Sequence, residues 1–190
     1  MKQKRLKKWV LEISLCILVW MVSNAVYAQE VFPPGSKLPP FNLKMPDSSE
    51  VRTYLGIKDI KTFSLSQIPA RFLIIEFFSV FCVKCQGNVP TINRLYQVIR
   101  DDPELNKEMK MIGVGLLSGT NEIVLFKEKF KTEYPLFADP KGDIQERTRI
   151  NFVPLTLVTD PDGKIIMSHS GIITDLDAFL IELRKKCKSR

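Results

Sequence analysis

The chain has 190 residues, 45% hydrophobic and 26% charged, with 9 Gly, 12 Pro and 4 Cys. That composition excludes a disordered chain and a disulfide-dense miniprotein, and the length excludes two large domains. The net charge of +7 is concentrated at one end, where Lys2, Lys4, Arg5, Lys7 and Lys8 crowd the first eight residues, and cations gather again only at Arg184, Lys185, Lys186, Lys188 and Arg190. The second group reads as the solvated end of a helix, where cations complement the dipole, and the rest is too nearly balanced for a nucleic-acid face.

Residues 1–28 read as a secretory signal: a basic start, an apolar stretch from Ile13 to Val22, and Val26-Tyr27-Ala28 before a cleavage site after Ala28. The alternative is an uncleaved N-terminal anchor, for which the apolar run falls short of the ~20 residues of a spanning helix. Glu12 shortens it further, and Leu15 before Cys16 is too bulky for a lipidation site. Membrane contact is expected only if the segment stays uncleaved. Export places the other cysteines, Cys82, Cys85 and Cys187, in an oxidising compartment. Three is an odd number, so at most one intrachain pair forms.

Residues 29–46 carry Pro33, Pro34, Pro39, Pro40 and Pro46 and are expected to run extended, and 47–70 show no clear period. Phe72 to Phe78 is a nearly continuous apolar run, the pattern of a central strand covered on both faces. Val89, Ile92, Leu95, Tyr96 and Ile99 then mark one face of a helix ending near Asp101-Asp102-Pro103. A strand is expected from Met111 to Leu117, a helix over 121–131 with Ile123, Val124, Phe126 and Phe130 inward, a short strand over 135–138 and a short helix over 144–150. Leu155 to Thr159 and Lys164 to Met167 flank Asp160-Pro161-Asp162-Gly163, a hairpin turn. The last helix is expected to start near Thr174, with Asp177 completing a loose capping box, and to bury Leu176, Phe179, Leu180 and Leu183. From Phe72 onward the order is βαβαβαββα.

Cys82-Val83-Lys84-Cys85 falls where the central strand gives way to a helix. There the unpaired N–H groups and the dipole favour a thiolate at the first cysteine, and Lys84 is the candidate for tuning its pKa. A thiolate with a second thiol two residues on attacks a disulfide, forms a mixed disulfide and is displaced by its neighbour. Glu76, a carboxylate inside an apolar strand, is costly to bury unless neutral or partnered, and is the candidate proton acceptor and donor for Cys85. His169, the sole histidine, reads as a satisfied or surface residue, Cys187 as a surface thiol, and Pro90 as a helix kink. Phe72, Phe77, Phe78, Phe126 and Phe130 read as core.

The stretch from Glu76 to Cys85, with Pro90 five residues later, resembles the active site of the thioredoxin superfamily. Gly35-Ser36-Lys37-Leu38-Pro39-Pro40-Phe41-Asn42-Leu43 and Phe63-Ser64-Leu65-Ser66-Gln67-Ile68 resemble the lead-in of exported TlpA/ResA-like proteins and other redoxins. Val153-Pro154-Leu155-Thr156-Leu157-Val158, with the hairpin after it, resembles their cis-proline strand. The resemblance implies an α/β, thioredoxin-like fold, a central mixed β-sheet flanked by helices, for a domain over 29–190 with 29–70 as an N-terminal extension. It implies an exported thiol-disulfide oxidoreductase acting through a Cys82/Cys85 pair, in the reducing direction and without a cofactor or metal. Cys82, Cys85 and Glu76 would be catalytic, and Val153, Pro154 and Phe81 would meet the substrate. The implied partners are protein dithiols or disulfides, apocytochrome c among them, and a membrane electron donor or acceptor. Phe81 departs from the usual tryptophan, Phe78 stands where many relatives have another, Val83-Lys84 matches neither reducing nor oxidising motifs, and Asn88 stands where several ResA-like proteins carry an acid.

Two alternatives are a thiol peroxidase, whose lead-in is shared, and a copper-delivery protein using Cys82, Cys85 and His169. The first lacks a Pro-x-x-x-Thr-x-x-Cys pattern here. The second spaces its cysteines three apart and would meet the ring of Pro154.

Overall fold

The computed structural model describes residues 32–58 and 60–188, so the expected signal segment, with Cys16 and the site after Ala28, lies outside the described residues. In chain order the elements begin with β1 (Asn42–Lys44), α1 (Ser49–Leu55), β2 (Thr62–Ser64), β3 (Phe72–Phe78), α2 (Val83–Asp101) and α3 (Pro103–Glu108). They continue with β4 (Met109–Leu116), α4 (Thr120–Phe130), β5 (Leu136–Asp139), α5 (Asp143–Thr148), β6 (Leu155–Thr159), β7 (Ile165–Ser170) and α6 (Leu176–Lys188).

All seven residues of β3 are buried, which requires neighbours on both edges and both faces. The edges are taken by β4, parallel, and β6, antiparallel; β5 extends the sheet beyond β4 and β7 beyond β6, giving the order β5-β4-β3-β6-β7. Because strand side chains alternate, the two faces belong to different cores. Phe72, Ile74 and Phe78 face a core with Val89, Ile92 and Leu95 of α2, Phe126 of α4 and Phe179 and Leu183 of α6. Leu73, Ile75 and Phe77 face Leu38, Leu43, Leu55 and Phe63 of the segment before β3, with Ile144 and Ile150 around α5.

That segment contains more regular structure than its composition announces. β1 and β2 form a two-stranded antiparallel sheet, and α1 is capped by the Ser48 hydroxyl, which accepts the Val51 N–H at 3.2 Å. The segment also reaches the far hairpin: Leu38 N–H donates to Gly163 O at 2.8 Å. Gly163 has φ +84°, and a Cβ there would sit 3.0 Å from the Leu38 carbonyl, so turn and contact both require glycine.

Four expectations are corrected. α3 is an additional short helix, started by the Asp102 carboxylate, which accepts the Glu104 and Leu105 N–H groups, with Pro103 at its first position. Val124 points outward at 49% exposure, because Ile123 and Phe126 already fill the narrow inner stripe of α4. α6 is capped by Asp175, whose carboxylate accepts the Ala178 N–H at 2.9 Å, in place of Thr174. Cys187 is buried, because the inner face of α6 extends from Phe179 and Leu183 through one more turn. The other element boundaries fall within two residues of expectation, except that β7 runs on to Ser170, three residues past Met167. Phe72, Phe78, Phe126 and Phe130 pack in or against the first core, and Phe77 lies in the second by strand alternation.

Candidate active site

The chain leaves β3 at Phe78 and turns tightly enough for the Cys82 N–H to donate to Ser79 O at 3.1 Å. The turn is held from both sides. Val80 N–H donates to the Ser118 hydroxyl at 3.3 Å, and Gln86 Nε2 returns from α2 to Val80 O at 2.8 Å. Cys82 is thereby fixed as the N-cap of α2, and its sulfur does what a cap oxygen ordinarily does, accepting the Cys85 N–H at 3.1 Å. The two cysteines differ in access. Cys82 is half-buried, whereas Cys85 is buried, and burial, followed by the hydrogen bond with Cys82, pushes its thiol well up.

The loop before β6 comes to the same point. The Cys82 thiol points at Val153 O at 3.7 Å, and the Val153–Pro154 peptide is cis, as the resemblance implied. Phe81 and Val83, on either side of Cys82, are 70% and 80% exposed, and Lys84 is exposed in the first turn of α2. Of the residues singled out in the sequence, Cys82, Cys85, Val153 and Pro154 therefore converge. Phe81 and Lys84 flank the pair in solvent.

Glu76 lies inside, on the α2 face of β3, with 3% exposure. Both carboxyl oxygens have a donor: Thr156 Oγ1 donates to Oε2 at 2.5 Å and Asn88 Nδ2 donates to Oε1 at 3.2 Å. Burial raises the Glu76 carboxyl to about 7, against the pull of the Thr156 and Asn88 donors. Its charge in turn contributes to raising the Cys85 thiol and the buried Tyr134 phenol, in both cases after burial itself. Opposite Glu76 stand Thr156 on β6 and Gly113 on β4; a Cβ at Gly113 would lie 2.5 Å from Leu136 Cδ2, so the missing side chain makes room for Leu136.

The sequence reading noted Asn88 only as a departure from the family pattern and Thr156 only within the proline strand, and missed both as partners of Glu76. Extending the inner stripe of α2 one step back from Ile92 reaches Asn88, a polar side chain on an apolar face, and that was the available signal. Thr156 becomes informative only once β6 is registered against β3. His169 Nε2 lies 3.2 Å from Ile172 O and the ring packs edge-on to Phe179, the satisfied surroundings expected of it. Among the described residues no three His, Cys, Asp or Glu side chains gather in a way that would hold a metal.

Residues 34–168 match the family model described as the AhpC/TSA family. The thiol-disulfide oxidoreductase ResA of Oceanobacillus iheyensis is 25% identical over 155 residues, covering 81% of this chain and 73% of its own. The thioredoxin-like protein YneN of Bacillus subtilis is 24% identical over 177 residues, covering 89% and 93%. Among solved structures, the thioredoxin domain of a thiol-disulfide oxidoreductase from Bacteroides vulgatus superposes with a TM-score of 0.61 at 17% identity, over 80% of this chain and 98% of that one. The fold is thioredoxin-like.

Proposed function

The chain belongs to the AhpC/TSA family, and from that premise we propose that it is a thiol-disulfide oxidoreductase exchanging disulfides with protein substrates through Cys82 and Cys85. The observation that carries this reading is the division of the pair, a reachable sulfur capping a helix and a buried thiol one turn inside.

In the reducing direction, the Cys82 sulfur, as thiolate, attacks one sulfur of a substrate disulfide. The substrate S–S bond breaks, one substrate thiolate leaves and takes up a proton, and a Cys82–substrate disulfide forms. Cys85 then loses its proton and attacks the Cys82 sulfur. The second substrate thiolate leaves, and the protein holds a Cys82–Cys85 disulfide. Two electrons have moved from the protein dithiol to the substrate. Glu76 is the proton acceptor for Cys85: it is buried beneath the pair, its charge reaches the Cys85 thiol, and a carboxyl near 7 exists in both states at neutral pH. Val153 supplies backbone to an extended substrate, with Pro154 and Phe81 beside it.

We further place the protein outside the cytoplasm, on the strength of residues 1–28, with apocytochrome c or envelope proteins as substrates and a membrane protein renewing the dithiol. Among the described residues no helix is long and apolar enough to cross a membrane. The copper-delivery alternative is disfavoured by His169, which is engaged with Ile172 and Phe179.

Cys85→Ser, incubated with a disulfide-containing protein, should accumulate a mixed disulfide that peptide mapping assigns to Cys82. An adduct on Cys187, or none at all, would refute the pair as the exchange site.

A further inference from the structure

We propose that Asn88 is a positioning residue of this site, which favours the proton of Glu76 on the Oε2 oxygen and ties that carboxyl to the loop over residues 171–173. The proposal deepens the exchange reading and rests on it for its purpose, though its geometry stands alone.

Asn88 is fully buried and both ends of its amide are used. Its Oδ1 accepts the Ile173 N–H at 3.0 Å and its Nδ2 donates to Glu76 Oε1 at 3.2 Å. A backbone N–H can only donate, so the amide oxygen must face Ile173 and the NH₂ group must face the carboxyl. The amide cannot turn over without setting donor against donor. Glu76 Oε1 therefore always meets a donor, which uses one of its lone pairs and disfavours a proton there. The favoured place for a proton on Glu76 is Oε2, which faces the Thr156 hydroxyl at 2.5 Å, a group that can accept it. A hydroxyl both donates and accepts, so Thr156 donates to the carboxylate and, after rotation, accepts from the acid. Asn88 thus favours the proton on one oxygen, and Thr156 follows its arrival and departure.

The other end of the amide reaches the surface of the site. Ile172, next to the amide held by Asn88, is 38% exposed and lies against α2 beside the pair: a Cβ on Gly87 would be 3.9 Å from its Cδ1. A substrate that moves this loop moves the Ile173 amide, and with it the NH₂ group that favours the charged carboxyl. The titratable groups facing Glu76 are Cys85 from α2 and Tyr134 from the segment before β5. His169 lies in the same cross-strand row, opposite Thr156 on β7.

The test is a titration of Glu76 by NMR, using protein labelled with ¹³C at the glutamate carboxyl and ¹⁵N at the backbone, with both cysteines reduced. In the wild type the Glu76 carboxyl and the Ile173 amide should titrate with one midpoint, about 7. Asn88→Leu should raise the Glu76 midpoint by about one pH unit, the size expected for loss of one donor to the charged form. It should also uncouple Ile173 from the titration. Asn88→Asp, of the same shape, keeps the acceptor for Ile173 and loses the NH₂; its carboxyl and Glu76 should share a proton and titrate in two steps, one of them above the wild-type midpoint. Thr156→Val should raise the midpoint and leave the Ile173 amide following Glu76. Should Asn88→Leu not fold, Asn88→Asp decides. A midpoint unchanged in the Asn88 variants, or an Ile173 amide indifferent to Glu76 in the wild type, would overturn the proposal. Failure of the Cys85→Ser trap would instead remove the exchange reading and leave the titration result standing.

Discussion

On one face of β3, Leu73, Ile75 and Phe77 pack into an apolar set supplied by Leu38, Leu43, Leu55 and Phe63. On the other, Ile74 and Phe78 pack equally tightly, but Glu76 stands between them and draws in Asn88 and Thr156. The first face repeats a rule and the second breaks it once. The break is compensated atom by atom, since both carboxyl oxygens and both ends of the Asn88 amide are hydrogen-bonded. A strand can therefore serve stability on one side and chemistry on the other, provided that the polar group on the chemical side is fully partnered.

The largest expected contrast between the faces is in activity. Cys82→Ser, above the polar face, should abolish exchange in an insulin-reduction assay while leaving the thermal midpoint near that of the wild type. Phe63→Ala should do the reverse. Its ring is fully buried and packs edge-on against Phe137 at 5.4 Å, so its loss should cost about 3 to 5 kcal/mol in urea unfolding. Exchange per folded molecule should be unchanged. A Phe63→Ala protein that is fully stable, or one that folds but no longer exchanges, would erase the division.

The next contrast is in the pH dependence of stability. The Glu76 carboxyl is raised in the folded protein, so the folded state holds its proton more tightly than the unfolded chain does. Its favourable contribution is complete below the unfolded value and is lost as pH rises through about 7. Glu76→Gln should flatten this decline, gaining on the order of 3 kcal/mol relative to the wild type between acid and mildly alkaline pH. Parallel curves for the two proteins would mean that the Glu76 carboxyl titrates at the same pH in the folded and the unfolded chain. The smallest effect is expected at the surface. Lys84→Glu should slow attack on a disulfide only a few-fold, and added salt should remove most of the difference, since the side chain is exposed.

The polar face was the more legible of the two in the sequence, and the reason is physical. An acid inside a seven-residue apolar run and two cysteines at a strand-to-helix junction are local anomalies, visible without tertiary information. The hairpin and the proline before β6 are local as well. The apolar face was not legible, because β1 and β2 have three residues each and α1 has seven, too short for a period to emerge. α3 was missed for the same reason. Val124 was misplaced because a narrow stripe and a broad one share their first positions, and only packing tells them apart. Asn88 and Thr156 required the register of β3 against β6 and the seating of α2, which arise between elements and not within them.

The proposed exchange requires Glu76 to act on the second step and not on the first. Mixing the reduced protein with a symmetrical aromatic disulfide in a stopped-flow instrument releases two equivalents of aromatic thiol in sequence. The first reports attack by Cys82 and the second reports its displacement by Cys85. The second phase of the wild type should rise through a midpoint of about 7. In Glu76→Gln it should lose that inflection and slow by roughly 10²-fold, with the first phase little changed. Second phases that superimpose for the two proteins from about pH 5 to about pH 9 would contradict a proton-accepting role for Glu76.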